Sequence, residues 1–143
     1  MVLQDLLSAP VNYDDLGSKA KEVYNFAKTA AILADYGFDC QWIHNDSHGA
    51  DMSARHLSGV NFDIQLKGRP TIAKKYMGKN IWIAYIDREH NEFCMYNHDE
   101  AVEIFESAGK AETKSWEVGG QYSFSQTKKP SIFEEISIRL KIK

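Results

Sequence analysis

The fold is decided by the stretch ADMSARHLSGVNFDIQLK, residues 50–67. Its second half, Val60–Lys67, alternates apolar and polar side chains, as a half-buried strand does. Ser58-Gly59 turns the chain just before it, and such a short connection predicts an antiparallel hairpin with Ala50–Arg55. The apolar positions of the second strand, Phe62, Ile64 and Leu66, then face the core, and its polar positions share the opposite face.

The same hairpin brings polar side chains of both strands together. Folding it places Asp51 alongside Gln65 and Lys67, so that two oxygen donors and an ammonium group converge. Carboxylate and amide oxygens suit a hard divalent cation such as Mg²⁺, which activates water and neutralises phosphate charge. Glu22, on the predicted first helix, is the candidate for a further oxygen ligand.

Each of these residues also has a purely structural interpretation. Asp51 and Lys67 could form a cross-strand ion pair on a solvated sheet face. Gln65 could be an ordinary exposed polar residue, and Glu22 could be a surface charge near Lys19. The alternative is therefore a globular domain in which the cluster has no chemistry.

The rest of the chain predicts an α/β domain, with a central mixed β-sheet flanked by helices. We predict helices over Ser18–Tyr36, Thr71–Met77 and Asp99–Gly109, and strands over Phe38–Ile43, Ala50–Arg55, Val60–Lys67, Ile81–Ile86, Glu92–Tyr96, Trp116–Val118 and Gln121–Ser125. After Pro130 two patterns compete. Ser131 with Glu134 is a capping box that predicts a helix, whereas the alternation from Ile136 to Ile142 is typical of a strand; we favour the helix.

The composition limits the class of protein. The 143 residues carry a formal charge of −3, with 43% hydrophobic and 26% charged residues. These values predict one folded domain, residues 1–143, with its core at about 18–109 and a C-terminal extension over 110–143. No apolar run approaches the roughly 20 residues needed to cross a bilayer, and we see no secretion signal, so we expect a cytoplasmic protein without a membrane span. Because the chain is mildly acidic, any contact with nucleic acid must be local.

The order of these features resembles the PD-(D/E)XK nuclease superfamily, which has the restriction-endonuclease-like fold. The resemblance rests on Glu22 in a first helix, Tyr36-Gly37-Phe38, Gly49-Ala50-Asp51 and Ile64-Gln65-Leu66-Lys67-Gly68. The layout is similar to archaeal Holliday-junction resolvases, and Gln in place of the more common acid is similar to Mrr-like restriction endonucleases. The resemblance covers about residues 18–86.

The resemblance implies a role for each residue of the cluster. Asp51 would be the central ligand of Mg²⁺ or Mn²⁺, with the Gln65 side chain and the Leu66 backbone carbonyl as further ligands. Lys67 would orient the attacking water and stabilise the transition state. Glu22 would bind or position a second metal ion or its water shell.

The implied activity is metal-dependent hydrolysis of phosphodiester bonds in DNA. The neutral Gln65 departs from the common acidic pattern and should weaken metal binding. It keeps open the alternative of a catalytically inactive nuclease-fold module that binds nucleic acid or another protein. The activity is also compatible with a homodimer, because one active site cuts one DNA strand and a two-fold pair of sites cuts both.

Several basic residues near the predicted site are candidates for contacts with DNA. Arg69, Lys74 and Lys75 follow Lys67 closely and could contact phosphates, and His48 could do so from the loop before the site. A solvated helix surface is the alternative for these cations. His44 and His48 could instead bind zinc, although the sequence between them is typical of a loop.

Overall fold

The computed structural model describes residues 2–44, 49–109, 112–124 and 131–143. Its strands are β1 Phe38–Trp42, β2 Met52–His56, β3 Asn61–Leu66, β4 Thr71–Ala73, β5 Ile81–Asp87, β6 Glu92–Asn97, β7 Gln121–Ser123 and β8 Ile138–Lys141. Its helices are α1 Leu3–Leu6, α2 Ser18–Ala34, α3 His98–Ser107 and α4 Lys114–Glu117, with 3₁₀ turns over Tyr13–Asp15, Lys74–Tyr76 and Ser131–Phe133. The predicted mixed α/β class is confirmed.

Six of these strands form one mixed sheet in the order β1-β2-β3-β5-β6-β8. All neighbours in it are antiparallel except β3 and β5, which are parallel. The connection between these two strands contains β4, which pairs with β7 in a separate two-stranded sheet. Because β3 and β5 run in the same direction, the residues that follow them emerge at one edge of the sheet.

The sheet is covered on both faces, and β5 shows this most clearly. Ile83 and Tyr85 belong to the core beneath α3, together with the buried Phe105. Ala84 and Ile86 belong to the core on the opposite face, where α2 packs. A strand that is buried on both faces is apolar almost throughout, as β5 is in sequence.

The predicted hairpin is confirmed. Strands β2 and β3 pair antiparallel, with Met52 opposite Ile64 and Arg55 opposite Asn61. Ile64 and Leu66 are buried in the core on the α2 face. The polar side chains at the odd-numbered positions of β3 are therefore directed to the other face of the sheet.

The predicted helix over Thr71–Met77 is wrong. Thr71–Ala73 forms strand β4, and only Lys74–Tyr76 makes a 3₁₀ turn. The hydroxyl of Tyr96 accepts a hydrogen bond from the Thr71 N–H at 2.8 Å and donates one to the Thr71 carbonyl at 2.6 Å. These contacts and the pairing with β7 hold the segment extended, and both come from residues remote in sequence.

The predicted strand over Trp116–Val118 is also wrong, because Lys114–Glu117 forms helix α4. Its helical turn directs Trp116 into the core, with its ring centroid 5.5 Å from that of Phe105, and leaves Val118 exposed. The predicted strand over Gln121–Ser125 is observed as β7, which ends at Ser123; Ser125 lies outside the described residues.

The favoured helix after Pro130 is wrong beyond its first turn. Ser131–Phe133 makes a 3₁₀ turn, and the alternating segment then forms β8 on the edge of the main sheet. Leu140 lies opposite Phe93 of β6. The segment forms a strand and not the helix that the capping box predicts, because the edge of β6 is open and pairs with it.

Candidate active site

Asp51 is the residue that joins the two strands of the hairpin at its open end. Its backbone N–H donates to the Ile64 carbonyl at 2.8 Å, one position beyond the regular β2–β3 pairing. Its carboxylate Oδ2 accepts a hydrogen bond from the Leu66 N–H at 3.0 Å. The regular β2–β3 pairing ends at Met52 opposite Ile64, so Asp51 lies just beyond it and reaches β3 through these two hydrogen bonds.

Gln65 is half-buried and lies opposite Ile83 of the neighbouring strand β5. Its Nε2 lies 3.5 Å from the Leu66 carbonyl oxygen, at the outer limit of a hydrogen bond. Leu66 thus contacts both side chains through its backbone, Asp51 through its N–H and Gln65 through its carbonyl. Two of the groups predicted to bind a metal ion, the side chains of Asp51 and Gln65, therefore each contact the backbone of the third, Leu66.

Lys67 follows directly on β3, and its backbone N–H donates to the Ala84 carbonyl at 3.0 Å. Its Nζ lies 5.4 Å from the centroid of the Tyr76 ring. Burial lowers the pKa of Lys67, the neighbouring Lys75 lowers it further, and the Asp51 carboxylate opposes the shift. The ammonium is thus partly desolvated and lies within the electrostatic reach of Asp51.

Tyr76 is held in place by a glycine. Gly49 has a φ of +82°, and a Cβ there would lie 2.9 Å from the Tyr76 ring. The ring therefore packs directly on the backbone just before Asp51. Lys75 Nζ lies 5.1 Å from the same ring, so Tyr76 has two ammonium groups around it.

Glu22 is not brought to this cluster by any contact among the described residues. It is exposed on α2, and its carboxylate forms an ion pair with Lys19 at 3.6 Å. Helix α2 packs on the sheet face opposite to Gln65 and Lys67. A role for Glu22 in metal binding stays a prediction.

The predicted DNA-binding residues separate in the structure. Lys75 accompanies Lys67 at Tyr76, whereas Lys74 lies with its Nζ 5.4 Å from the Trp116 ring. Arg69 lines a cleft next to Lys67. His48 lies outside the described residues.

That cleft opens where β3 and β5 end, and has a volume of about 410 Å³. It is lined by Tyr13, Asp14, Lys21, Lys67, Gly68, Arg69, Thr71, Arg88, Gln121 and Ser123. Lys21 and Arg88 were not predicted from the sequence. Arg88 could have been found from its position directly after a buried strand, because ligands often bind at the carboxyl ends of parallel strands.

A second polar cluster, also not predicted from the sequence, lies in the β5–β6 hairpin. Asp87, His90 and Glu92 have ligand atoms within 4.8 Å of one another and could hold a metal ion. His90 Nδ1 is 2.8 Å from Asp87 Oδ2. The guanidinium of Arg139 lies 3.7 Å from Asp87 and 3.8 Å from Glu92, so a cation already faces both carboxylates.

The cluster of Asp51, Gln65, Leu66 and Lys67 has the composition of a hard-cation site. A carboxylate, an amide and a peptide carbonyl offer oxygen atoms, the ligands that Mg²⁺ and Mn²⁺ prefer. One formal negative charge among three ligands predicts weak binding in the absence of an anionic substrate. The partly desolvated ammonium next to them can stabilise negative charge on a phosphate.

Within the described ranges, no helix is both long and apolar enough to cross a membrane. Comparison of the chain with protein-family models, with curated proteins and with solved structures found no match.

Proposed function

We propose that this protein is a metal-dependent endonuclease that hydrolyses phosphodiester bonds in DNA. The observation that carries the proposal is the adjacency of Asp51, Gln65 and the Leu66 carbonyl to a partly buried Lys67 at the mouth of a basic cleft. Oxygen ligands beside a cation are the arrangement that hydrolysis of a phosphate ester requires. We place this activity in the cytoplasm, and a two-fold dimer would allow both strands to be cut.

The proposed division of labour follows from the chemistry of each group. Asp51, Gln65 and the Leu66 carbonyl would hold Mg²⁺ or Mn²⁺, which when bound lowers the pKa of a water ligand and neutralises phosphate charge. Lys67 donates hydrogen bonds to the attacking water or to a phosphate oxygen. One P–O bond forms from the water, the P–O bond to the leaving oxygen breaks, and a proton is transferred to that oxygen or to solvent.

The partial burial of Lys67 supports this role. Partial burial strengthens the attraction between its ammonium and a phosphate, because little water screens the charges. The Tyr76 ring, which packs against Gly49, gives the Lys67 ammonium an aromatic face to lie on next to Asp51. A restrained charge needs little reorganisation when negative charge develops in the transition state.

The test is calorimetric titration with Mn²⁺ of the wild type, Asp51→Ala and Asp39→Ala, followed by cleavage assays on linear, branched and methylated DNA. Asp39 is a matched control because it is an exposed aspartate of the same sheet. We expect Mn²⁺ binding and cleavage in the wild type and in Asp39→Ala, and loss of both in Asp51→Ala. Equal cleavage by all three proteins would disprove the proposal.

A second candidate function is a nuclease-fold module that binds nucleic acid or a protein without cleaving DNA. The observation in its favour is Gln65, which brings no negative charge to a place where most members of the resembled superfamily have an acid. The variant Gln65→Glu separates the two functions. For an endonuclease we expect tighter Mn²⁺ binding, by about tenfold for an interaction worth about 1.4 kcal/mol, with cleavage retained. A wild type without cleavage in any metal supports the module.

A further inference from the structure

The cleft beside Lys67 concentrates positive charge in a chain whose net charge is −3. Four of its lining residues are basic, and they come from three elements: Lys21 from α2, Lys67 and Arg69 after β3, and Arg88 after β5. Asp14 is the acidic residue of the lining. Since the protein as a whole is acidic, this local excess of cations distinguishes the cleft as a site for an anion.

Arg88 is held in a defined position in this cleft. Its guanidinium lies 3.9 Å from the centroid of the Tyr13 ring, and Nη2 lies 3.5 Å from Asp14 Oδ1. The preceding Asp87 is buried and accepts a hydrogen bond from the His90 N–H at 3.0 Å, which fixes the start of the β5–β6 turn. Arg88 therefore lies in a turn that the buried Asp87 anchors.

Lys21 approaches the same aromatic ring. Its Nζ lies 5.4 Å from the Tyr13 ring centroid. Tyr13 is itself held by Tyr24, with ring centroids 5.1 Å apart, and by a hydrogen bond between its hydroxyl and Asn25. One anchored ring thus positions two cations on one side of the cleft.

The other side of the cleft offers neutral hydrogen-bonding groups. Thr71 Oγ1 and Ser123 Oγ are 3.2 Å apart, and Gln121 lies on the same strand as Ser123. Hydroxyl and amide groups together with Arg and Lys are the usual protein contacts to the nucleic-acid backbone. Strand β7 thereby connects the C-terminal part of the chain to the cleft.

We infer that this cleft binds a DNA phosphate next to the one that is cleaved, with Lys21 and Arg88 as its principal ligands. The inference rests on the proposed function, because it places the scissile phosphate at Asp51 and Lys67. The carboxylate of Asp14 is 73% exposed, so solvent screens its pair with Arg88 and a phosphate oxygen can displace it at low cost. The two cations then select the sugar-phosphate backbone without regard to base sequence.

The experiment measures binding of a short fluorescein-labelled DNA duplex by anisotropy, in EDTA, over a series of salt concentrations. The test variants are Arg88→Gln and Lys21→Gln. The matched controls are Arg55→Gln, an exposed arginine of β2, and Lys28→Gln, two turns further along α2. Circular dichroism and thermal melting verify that each variant is folded, and Arg88→Lys tests rescue by a residue of the same charge.

We expect each test variant to bind about tenfold more weakly, the effect of removing one charged hydrogen bond of about 1.4 kcal/mol. The slope of log K against log salt should fall by about 0.9 for each phosphate that the variant no longer neutralises, and Arg88→Lys should restore part of it. Both controls should retain the wild-type slope. A merely structural role of Arg88 would leave the slope unchanged.

Two outcomes would overturn the inference. One is that both test variants bind the duplex with the affinity and salt slope of the wild type. This result would refute DNA binding by the cleft even if the protein cleaves DNA. The other is absence of duplex binding by the wild type. The two proposals can also fail separately. If the wild type cleaves no DNA but the test variants lose duplex binding, DNA binding by the cleft is supported and only the endonuclease activity is refuted.

Discussion

Two aspartates of the main sheet, Asp51 before β2 and Asp87 at the end of β5, are held in different ways. Each accepts a hydrogen bond from a backbone N–H, of Leu66 and His90 respectively. Asp87 is 1% exposed and faces the guanidinium of Arg139, which also lies near Glu92. Asp51 is half-buried and lies beside Lys67, which lines the open cleft.

The difference lies in how the nearby cation is engaged. Arg139 donates to Cys94 Sγ at 3.0 Å and to the Tyr85 hydroxyl at 3.3 Å, so its donors are directed into the protein. Lys67 contacts an aromatic face, and burial lowers its pKa. We interpret the β5–β6 cluster as a structural ion-pair network, and the cluster of Asp51 and Lys67 as one arranged for an external ligand.

The largest effect should come from Arg139→Met. The change removes the cation that faces two buried carboxylates, and breaking a buried pair in this way costs about 3–5 kcal/mol. Urea unfolding measures the loss of stability. Lys143→Met is the control, since Lys143 is an exposed residue two positions beyond the same strand, and a cost within about 0.5 kcal/mol is expected there. Equal stability of the two variants would show that the ion-pair network does not stabilise the fold.

Lys67→Ala should act on catalysis and leave the fold intact. Removing an electrostatic interaction with the transition state lowers cleavage by about 10²–10³-fold. Initial rates on DNA, with Lys79→Ala as an exposed lysine control, measure this effect. A variant that unfolds easily yet cleaves normally when folded would assign Lys67 the same structural role as Arg139.

Gly49→Ala tests whether the packing of Tyr76 positions the site. The new Cβ would lie 2.9 Å from the ring, and the φ of +82° adds backbone strain, for a cost of about 1–3 kcal/mol. Gly59→Ala is a matched control, because its φ is +94° and no atom lies within 4 Å of its Cβ. We expect the Gly49 variant to lose more stability and more cleavage than the control. Identical losses would show that backbone strain alone matters.

The smallest effect is a pH dependence at the side of the site formed by β4. His98 is buried, its Nε2 accepts a hydrogen bond from the Ala73 N–H at 3.0 Å, and its ring lies 5.5 Å from Tyr76. Burial lowers the pKa of His98 below its usual 6.5, against the opposing charge of Asp99.

Because the folded protein favours neutral His98, its contribution to stability is complete above pH 6.5 and is lost as the pH falls through the lowered pKa. The hydrogen-exchange protection of the Ala73 amide should therefore decrease on acidification, and His98→Asn should remove that dependence. Constant protection across this range would contradict the assignment.

Much of the fold could be predicted from local sequence alone. Helix α2, the β2–β3 hairpin and the pair β5 and β6 are long enough to show their periodicity, and turn residues mark their ends. The hairpin register followed from the alternation of β3, whereas the contact of the Asp51 carboxylate with the Leu66 N–H depends on an irregular end of the β2–β3 pairing. A shift of one residue would have turned Ile64 and Leu66 to the other face of the sheet. Burial of these two side chains is therefore compatible with one register only.

Tertiary structure decided the segments in which local patterns are short or conflicting. Thr71–Ala73 is extended because Tyr96 and β7 bind its backbone, and Trp116 lies in a helical turn because Phe105 receives its ring. Strand β8 exists because β6 offers an unpaired edge. The cleft unites residues from α2, β3, β5 and β7. The parallel pairing of β3 and β5 brings Lys67 and Arg88, which follow these strands, to one edge. The Tyr13 ring brings Lys21 of α2, 67 positions before Arg88, to the same place.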